Sequence, residues 1–472
     1  MQLRRNLLFY VITLLIFGAG IYLVLDYGAR FDAAPATAAR PAAGLLDGLR
    51  ASLAQPLSVL LMQMVVIILA ARAIGALFRR IGQPAVTGEM LAGILLGPSL
   101  LGLLWPEAHG FLFPVASLDT LQRLSQVGVI LFMFVVGAEL DLQHLRHKAQ
   151  AAVLVSHASI VVPFFLGAAL SLLLYRQLAP DTVSFTGFAL FMGIAMSITA
   201  FPVLARIIAE RGLSRSPLGT IAIACAAVDD VTAWCLLAVV VAVVQAGDVS
   251  GALLTLVLAV AFVAFMLLLA RPYATRLIRA ELGKESHSKA LVAGVLVFVF
   301  VSALFTEVIG IHALFGAFLA GVALPSNAPL RTFLRERLET FSAVFLLPLF
   351  FAFTGLRTEL GLLATANDWL LCAAVIAVAI AGKLGGSMLA ARWTGMGWKD
   401  SFAIGTLMNT RGLIELIVLN IGYDLGILSP RVFTMMVIMA LVTTFMTGPI
   451  LAWMGYGHRE ASGRSSLPLG PT

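Results

Sequence analysis

Charge is scarce in this chain. Asp, Glu, Lys and Arg make up only 12% of its 472 residues against 60% hydrophobic, where soluble domains carry roughly 25% charged residues. A chain so poor in charge cannot clothe a soluble surface, which excludes an ordinary soluble enzyme. The formal charge of +7 does not point to nucleic acid as a partner, because the basic residues form short clusters between apolar runs, as in loops that stay cytoplasmic. Cysteine is nearly missing too. Cys225, Cys235 and Cys372 are the only three; all fall inside apolar runs, which argues against a disulfide framework or a zinc site and for small core residues. Also absent is the period-two alternation of polar and apolar residues that a membrane β-barrel requires.

What is present is apolar sequence in lengths that cross a bilayer, roughly 17 to 25 residues at a time. Fourteen such runs are expected, at 7 to 27, 57 to 77, 85 to 104, 121 to 140, 149 to 175, 185 to 208, 217 to 245, 250 to 270, 289 to 308, 309 to 325, 340 to 357, 367 to 391, 401 to 422 and 431 to 454. Gly310 alone divides the run at 308 and 309. With the N-terminus placed inside, 21 of the 31 Lys and Arg residues fall in inner segments and 7 in outer ones, so both termini are expected in the cytoplasm of a multi-pass cell-membrane protein, a bacterial inner membrane being the natural setting. The first run has the basic start and apolar core of a secretory signal, but the core is longer than usual and favours an anchor. Residues 1 to 56 then form an anchor or signal and an external linker, 57 to 454 the transmembrane domain, and 455 to 472 a short cytoplasmic tail.

Leaving the first run aside, thirteen spans divide into six, one and six. An even block followed by one connecting span makes the second block enter from the opposite side, the plan of an inverted repeat, here about 57 to 245 and 289 to 454. The fifth span of each block is interrupted. In "FMGIAMSITAFPVLARIIAE", Pro202 lacks an N–H and crowds the carbonyl four residues back, which frees the carbonyl of Ile198 beside the hydroxyls of Ser197 and Thr199. Such oxygens are hard ligands suited to Na+ or K+. In "FAIGTLMNTRGLIELIVLN", Asn409, Thr410, Arg411 and Gly412 predict a second unwound stretch. Interruptions at matching positions of two halves mark a transport site.

The most informative stretch is "CAAVDDVTAW". Asp229 and Asp230 are the only charges between Pro217 and Gln245, and a carboxylate in hydrocarbon costs several kcal/mol, at least about 2.5. Neighbours on a helix point about 100° apart, so the two must face different partners. One can face a water-filled cavity, while the other meets Lys383, the only lysine inside a span, whose neighbours Gly382, Gly385 and Gly386 permit close helix approach. Burial and a second carboxylate favour the protonated acid and a nearby cation favours the ionised one; a metal ion can then compete with protons for the same oxygens. The expected cation ligands are Asp230, Asp229 and Thr199, with Ser197 beside them. Arg411 and Glu415, four apart, can pair and offset half-helix dipoles. Glu89, Glu307, Arg72, His157 and His312 are expected to be interfacial or satisfied core groups.

With these residues set out, the chain resembles the monovalent cation:proton antiporter superfamily, in the branch of Kef-type potassium-efflux proteins and plant cation/H+ exchangers. The matching stretches are "GQPAVTGEMLAGILLGPSLLG" at 82 to 102, "VGVILFMFVVGAELD" at 127 to 141, "MSITAFPVLARIIAERGL" at 196 to 213, "VDDVTAW" at 228 to 234, "GIHALFGAFLAGVALP" at 310 to 325, "LPLFFAFTGLRTEL" at 347 to 360 and "LMNTRGLIEL" at 407 to 416. The resemblance implies an all-α, thirteen-span inverted-repeat fold with two crossing discontinuous helices plus one N-terminal span, and a homodimer whose transport core moves against a dimerisation domain. It further implies that Asp229 and Asp230 are the ion-binding pair, that Ser197 and Thr199 lie on the first unwound helix, and that Lys383 is the buried lysine. The Asp-Asp pair departs from the Gln-Asp of Kef-type proteins and the Asn-Asp of many plant exchangers, and is similar to electrogenic sodium/proton members. The tail after Gly455 is too short for the nucleotide-binding domain of Kef-type proteins.

The function expected is secondary antiport of Na+ or K+ against H+, not an enzyme activity, with no cofactor beyond the transported ions and with lipid and a second copy as partners. A proton- or sodium-coupled solute symporter on the same plan is the alternative. An intramembrane aspartyl protease would need carboxylates converging from two helices, whereas adjacent ones diverge.

Overall fold

The computed structural model describes residues 2–28, 52–139, 149–213, 216–245, 249–282, 289–325, 335–339 and 341–456. Among them every regular element is a helix. Two compact units are present, residues 1–58 and 59–472. The described residues of the first include the helix α1 (Gln2–Gly28), which is apolar enough to span.

The second unit begins within α2 (Pro56–Arg80) and continues with α3 (Ala85–Leu96), α4 (Val115–Glu139), α5 (Ala149–Leu178), α6 (Phe185–Ser197), α7 (Phe201–Glu210) and α8 (Pro217–Gln245). Next come α9 (Val249–Phe265), α10 (Lys289–Val308), α11 (Ala313–Val322), α12 (Leu347–Leu356), α13 (Ala366–Ile380), α14 (Gly386–Trp393), α15 (Trp398–Met408), α16 (Leu413–Asp424) and α17 (Pro430–Trp453). Among the described residues eleven helices are long and apolar enough to cross a membrane, and α15 with α16, bent by 44° at their break, makes a twelfth if the pair is taken as one span. The two remaining expected spans are the interrupted pair α6 and α7 and the short α11. The division at residue 308 is a real one: Gly310 and His312 take positive φ values of 84° and 80° and turn the chain between α10 and α11.

Packing sorts the helices of this unit into two groups. In one, α11 lies against α4 and α10, and α12 against α3 and α4. In the other, α5 lies against α6, α8, α13 and α14, α14 against α15, and α17 against α13, α15 and α16. Contacts between the groups are thin and include α12 with α16 and α3 with α17. Glycine sets the closeness within each group. A Cβ on Gly355 of α12 would lie 2.1 Å from the backbone of Gly93 on α3, and one on Gly137 of α4 would lie 2.1 Å from the carbonyl oxygen of Phe318 on α11. Of the three glycines around Lys383, Gly382 and Gly386 face α5 at 2.9 and 3.0 Å, whereas Gly385 has nothing within 4 Å and plays no part in the approach. Cys225 and Cys372 are buried as expected, but Cys235 lies on the outward face of α8, exposed, so it is not a core residue.

Candidate functional site

The first interruption is a clean break rather than a kink. Helix α6 ends at Ser197, Ile198 is extended with φ −77° and ψ 135°, and α7 resumes at Phe201 with Pro202 as its second residue. A missing N–H is harmless in the first turn of a helix, so Pro202 starts the new half-helix instead of distorting an old one. The second interruption runs from Asn409 to Gly412, between α15 and α16.

The two breaks cross and bond to each other. The Ala200 N–H donates to the carbonyl of Thr410 at 3.0 Å, and the Thr199 hydroxyl donates to the carbonyl of Met408 at 3.1 Å. Gly412 is required here: a Cβ would sit 2.7 Å from Cγ2 of Val203. On the other side, Thr444 of α17 accepts from the Arg411 N–H at 3.0 Å and donates to its carbonyl at 2.7 Å. The backbone groups of Ala200, Met408, Thr410 and Arg411 at the breaks thus find protein partners at membrane depth, where water is scarce.

The C-terminal carbonyls of α6 are capped by two cations. Arg411 donates to the carbonyls of Ala195 at 3.0 Å and Met196 at 2.6 Å, and the Lys383 ammonium donates to the carbonyl of Ser197 and to that of Ser159 at 2.9 Å. The C-terminal end of a helix carries partial negative charge, which accounts for an arginine and a lysine so deep in the molecule. Lys383 lies in a single π-helical turn, Ala381–Gly385, between α13 and α14, a local irregularity common at functional positions.

Asp229 and Asp230 diverge on α8, as adjacent residues should. Oδ2 of Asp229 accepts from Lys383 Nζ at 2.9 Å and from the Thr199 N–H at 3.1 Å. Neither oxygen of Asp230 makes a hydrogen bond, although the backbone amide of Phe201, the first residue of α7, bears on the carboxyl. Oδ1 of Asp229 and Oδ1 of Asn409 are likewise buried without a partner. Arg411 pairs with Glu415 at 2.9 Å, both fully buried. Five ionisable groups are therefore buried together at the crossing: Asp229, Asp230 and Glu415 against Lys383 and Arg411. Fully ionised, they leave one negative charge in excess, and it resides on the carboxylate that has no partner.

The sequence brought out the right break but assigned its oxygens differently. The Ser197 hydroxyl donates to the carbonyls of Gly193 at 2.7 Å and Ile160 at 3.0 Å, and its own carbonyl is taken by Lys383. Thr410 Oγ1 meets Thr447 Oγ1 at 3.4 Å, and Asn409 Nδ2 meets only the Met446 sulfur at 3.6 Å. Ser159, which supplies a carbonyl to Lys383, gave no signal in the sequence, because any residue type could provide that atom. The remaining polar groups are satisfied locally: Glu307 accepts from the Ala313 N–H at 2.7 Å, Arg72 donates to the Val344 carbonyl at 3.3 Å, His157 bonds to Val153, and His312 caps α11. Among the described residues no group of three or more His, Cys, Asp or Glu could hold a metal ion.

Two crossed, broken helices with unsatisfied carboxylate oxygens at their junction define a polytopic secondary transporter. The sodium/hydrogen exchanger transmembrane family matches residues 65–455, and the chain belongs to that family. It is 48% identical over 396 residues to the Na+/H+ antiporter NhaS4 of Synechocystis sp., covering 84% of this chain and 97% of that protein. It is 39% identical over 431 residues to cation/H+ antiporter 17 of Arabidopsis thaliana, covering 88% of this chain and 52% of that one. With K+/H+ antiporter 1 of Saccharomyces cerevisiae the identity is 33% over 419 residues, 86% of this chain and 48% of that one. The chain thus spans about half the length of the plant and yeast relatives. The solved sodium/proton antiporter MjNhaP1 of Methanocaldococcus jannaschii superposes with a TM-score of 0.61 at 13% identity, over 85% of this chain and 98% of that one, which shows the shared fold.

Proposed function

We propose that this protein exchanges a monovalent cation, Na+ or K+, for H+, and that Asp230 is the group both ions contend for. One observation carries this: at the crossing of the breaks, Asp230 is a buried carboxylate whose oxygens have no hydrogen-bond partner, the one excess negative charge of its cluster. Leaving such a charge unneutralised in a low-dielectric interior is costly. A proton neutralises it, and so does an alkali ion, but not both at once; exposing the site to each side in turn then couples the two fluxes.

Asp229 and Lys383 compensate one another beside it, and Asp229 Oδ1, Asn409 Oδ1 and Thr199 supply further hard oxygens for the cation. Relatives named as Na+/H+ and K+/H+ antiporters support the exchange. In this proposal the exchange unit is residues 57–454, with repeats at about 57–245 and 289–454, embedded in the cell membrane as a homodimer with both termini cytoplasmic.

The test uses protein reconstituted in proteoliposomes with a pH-sensitive dye inside. Adding Na+ or K+ outside an acid-loaded vesicle should drive proton exit, and Asp230→Asn should reduce that signal to the protein-free background. Exchange by Asp230→Asn near the wild-type rate would remove the assigned role.

A further inference from the structure

One end of the second unit carries a cluster that the exchange site leaves unexplained. Arg357, directly after α12, forms an ion pair with Asp424 at the end of α16 at 2.7 Å and donates to Oδ1 of Asn420 on α16 at 3.0 Å. Asn420 Nδ2 in turn donates to the Thr354 hydroxyl on α12 at 2.8 Å. Gln122 of α4 donates to the other Asp424 oxygen at 3.2 Å. The Arg357 guanidinium is held between two rings, 4.2 Å from the centre of Phe353 on α12 and 4.8 Å from that of Tyr423 on α16. Just beyond, the Glu359 N–H donates to the Thr434 hydroxyl on α17 at 3.2 Å. His312, from the turn between α10 and α11, and Glu307, in the last turn of α10, bring further ionisable groups to the same corner as Asp424.

Every one of these cross-links runs from the α3–α4–α10–α11–α12 group to α16 or α17 of the other group, where packing between the groups is thin. At the opposite end of α17 the corresponding links among the described residues are sparser: Gln83 donates to the Phe445 carbonyl at 3.2 Å, and Phe78 meets the Phe445 ring edge-on. The link is made to α16, the half-helix that also carries Glu415 of the exchange site. Apart from the buried Asn420–Thr354 bond, these are polar, partly exposed bonds across a weakly packed seam, exchangeable for water, unlike the backbone bonds and glycine contacts inside each group. They suit a contact that must be made and broken.

We propose that Arg357, with Asp424, Asn420 and Gln122, is a latch that holds this mouth of the transporter shut and must release for the site to open on that side. The latch rests on the exchange reading, since a protein that does not alternate has no use for it. Its breaking frees Arg357 from Asp424 and lets α16 part from α12 and α4. A static brace would hold the same atoms together throughout the cycle, so the two accounts differ in what a covalent lock does.

The experiment uses full-length protein with Cys225→Ala, Cys235→Ala and Cys372→Ala. In proteoliposomes, the pair Gln122→Cys and Asp424→Cys is oxidised to a disulfide. Cross-linked protein should lose exchange and regain it with a thiol reductant; unchanged exchange with the disulfide fully formed would overturn the latch. A second measurement needs no turnover. Thr434→Cys, buried behind the latch, is alkylated with a membrane-impermeant maleimide, with and without Arg357→Gln. Loss of a charge-assisted bond moves a two-state balance by about tenfold or more, so alkylation should accelerate by at least about that factor. An unchanged rate would overturn the latch even where wild-type exchange stands, whereas absence of wild-type exchange would fall on the exchange reading itself.

Discussion

At the scale of single residues, function and stability pull in opposite directions at neighbouring positions. Asp230 is buried without a partner, so Asp230→Asn should leave the melting temperature in detergent at or above that of the wild type while exchange is lost. Arg411 is the reverse case. It satisfies Glu415 and two carbonyls at the end of α6, and Arg411→Ala leaves a buried carboxylate unpaired. Removing one partner of a buried pair costs about 3–5 kcal/mol, to be read as a lower thermal transition and reduced yield of folded protein. The sequence disclosed the Asp pair because a carboxylate in hydrocarbon needs a reason. It also disclosed Lys383 as partner, because no other lysine lies in the interior of an expected span. It could not disclose that Arg411 and Lys383 cap α6, since the groups they cap are main-chain carbonyls that no side-chain pattern records.

At the scale of elements, the helix crossings depend on missing side chains. Gly355→Ala should cost about 1–3 kcal/mol, the usual penalty of overpacking, because its new Cβ would press on the α3 backbone 2.1 Å away. Gly385→Ala, with open space beside it, should stay within about 0.5 kcal/mol of wild type; thermal unfolding of the two variants side by side checks both. The end of α17 is tied differently. The Tyr456 hydroxyl donates to Asp400 at the start of α15, and Lys399 lies over the ring at 5.1 Å. Burial first, then the bond to Asp400 and its charge, push the phenol above its usual range. A raised folded-state value means stability present below the ordinary phenol range and lost as pH climbs through the folded value. The alkaline fall in stability above roughly pH 10 should therefore be shallower in Tyr456→Phe. Both helix breaks could be read from Pro202 and from Asn409 to Gly412. The π-helical turn at Lys383 could not, because its residues suit an ordinary helix equally well.

At the scale of the whole molecule, the family match begins at residue 65 and the chain separates into two compact units at residue 58. A chain starting at Pro56 behind an initiator Met should keep its melting temperature and its exchange rate per molecule in proteoliposomes; loss of both would make the first unit part of the exchanger. Most of the apolar spans were legible because hydrocarbon imposes length: among the described residues eleven helices and the bent pair α15–α16 meet it, while α6 and α11 fall short of it. The sorting of helices into two groups was not, since it depends on which glycine meets which backbone across the sequence.

Where the interrupted spans cross, the Ala200–Thr410 bond and the grip of Arg411 on α6 fasten one break to the other. In the proposed exchange the crossing would therefore not gape like a jaw but travel as a single piece. A passenger ion would then meet the same ligands on either face of the bilayer, and inverting the two gradients should run the proposed exchange backwards.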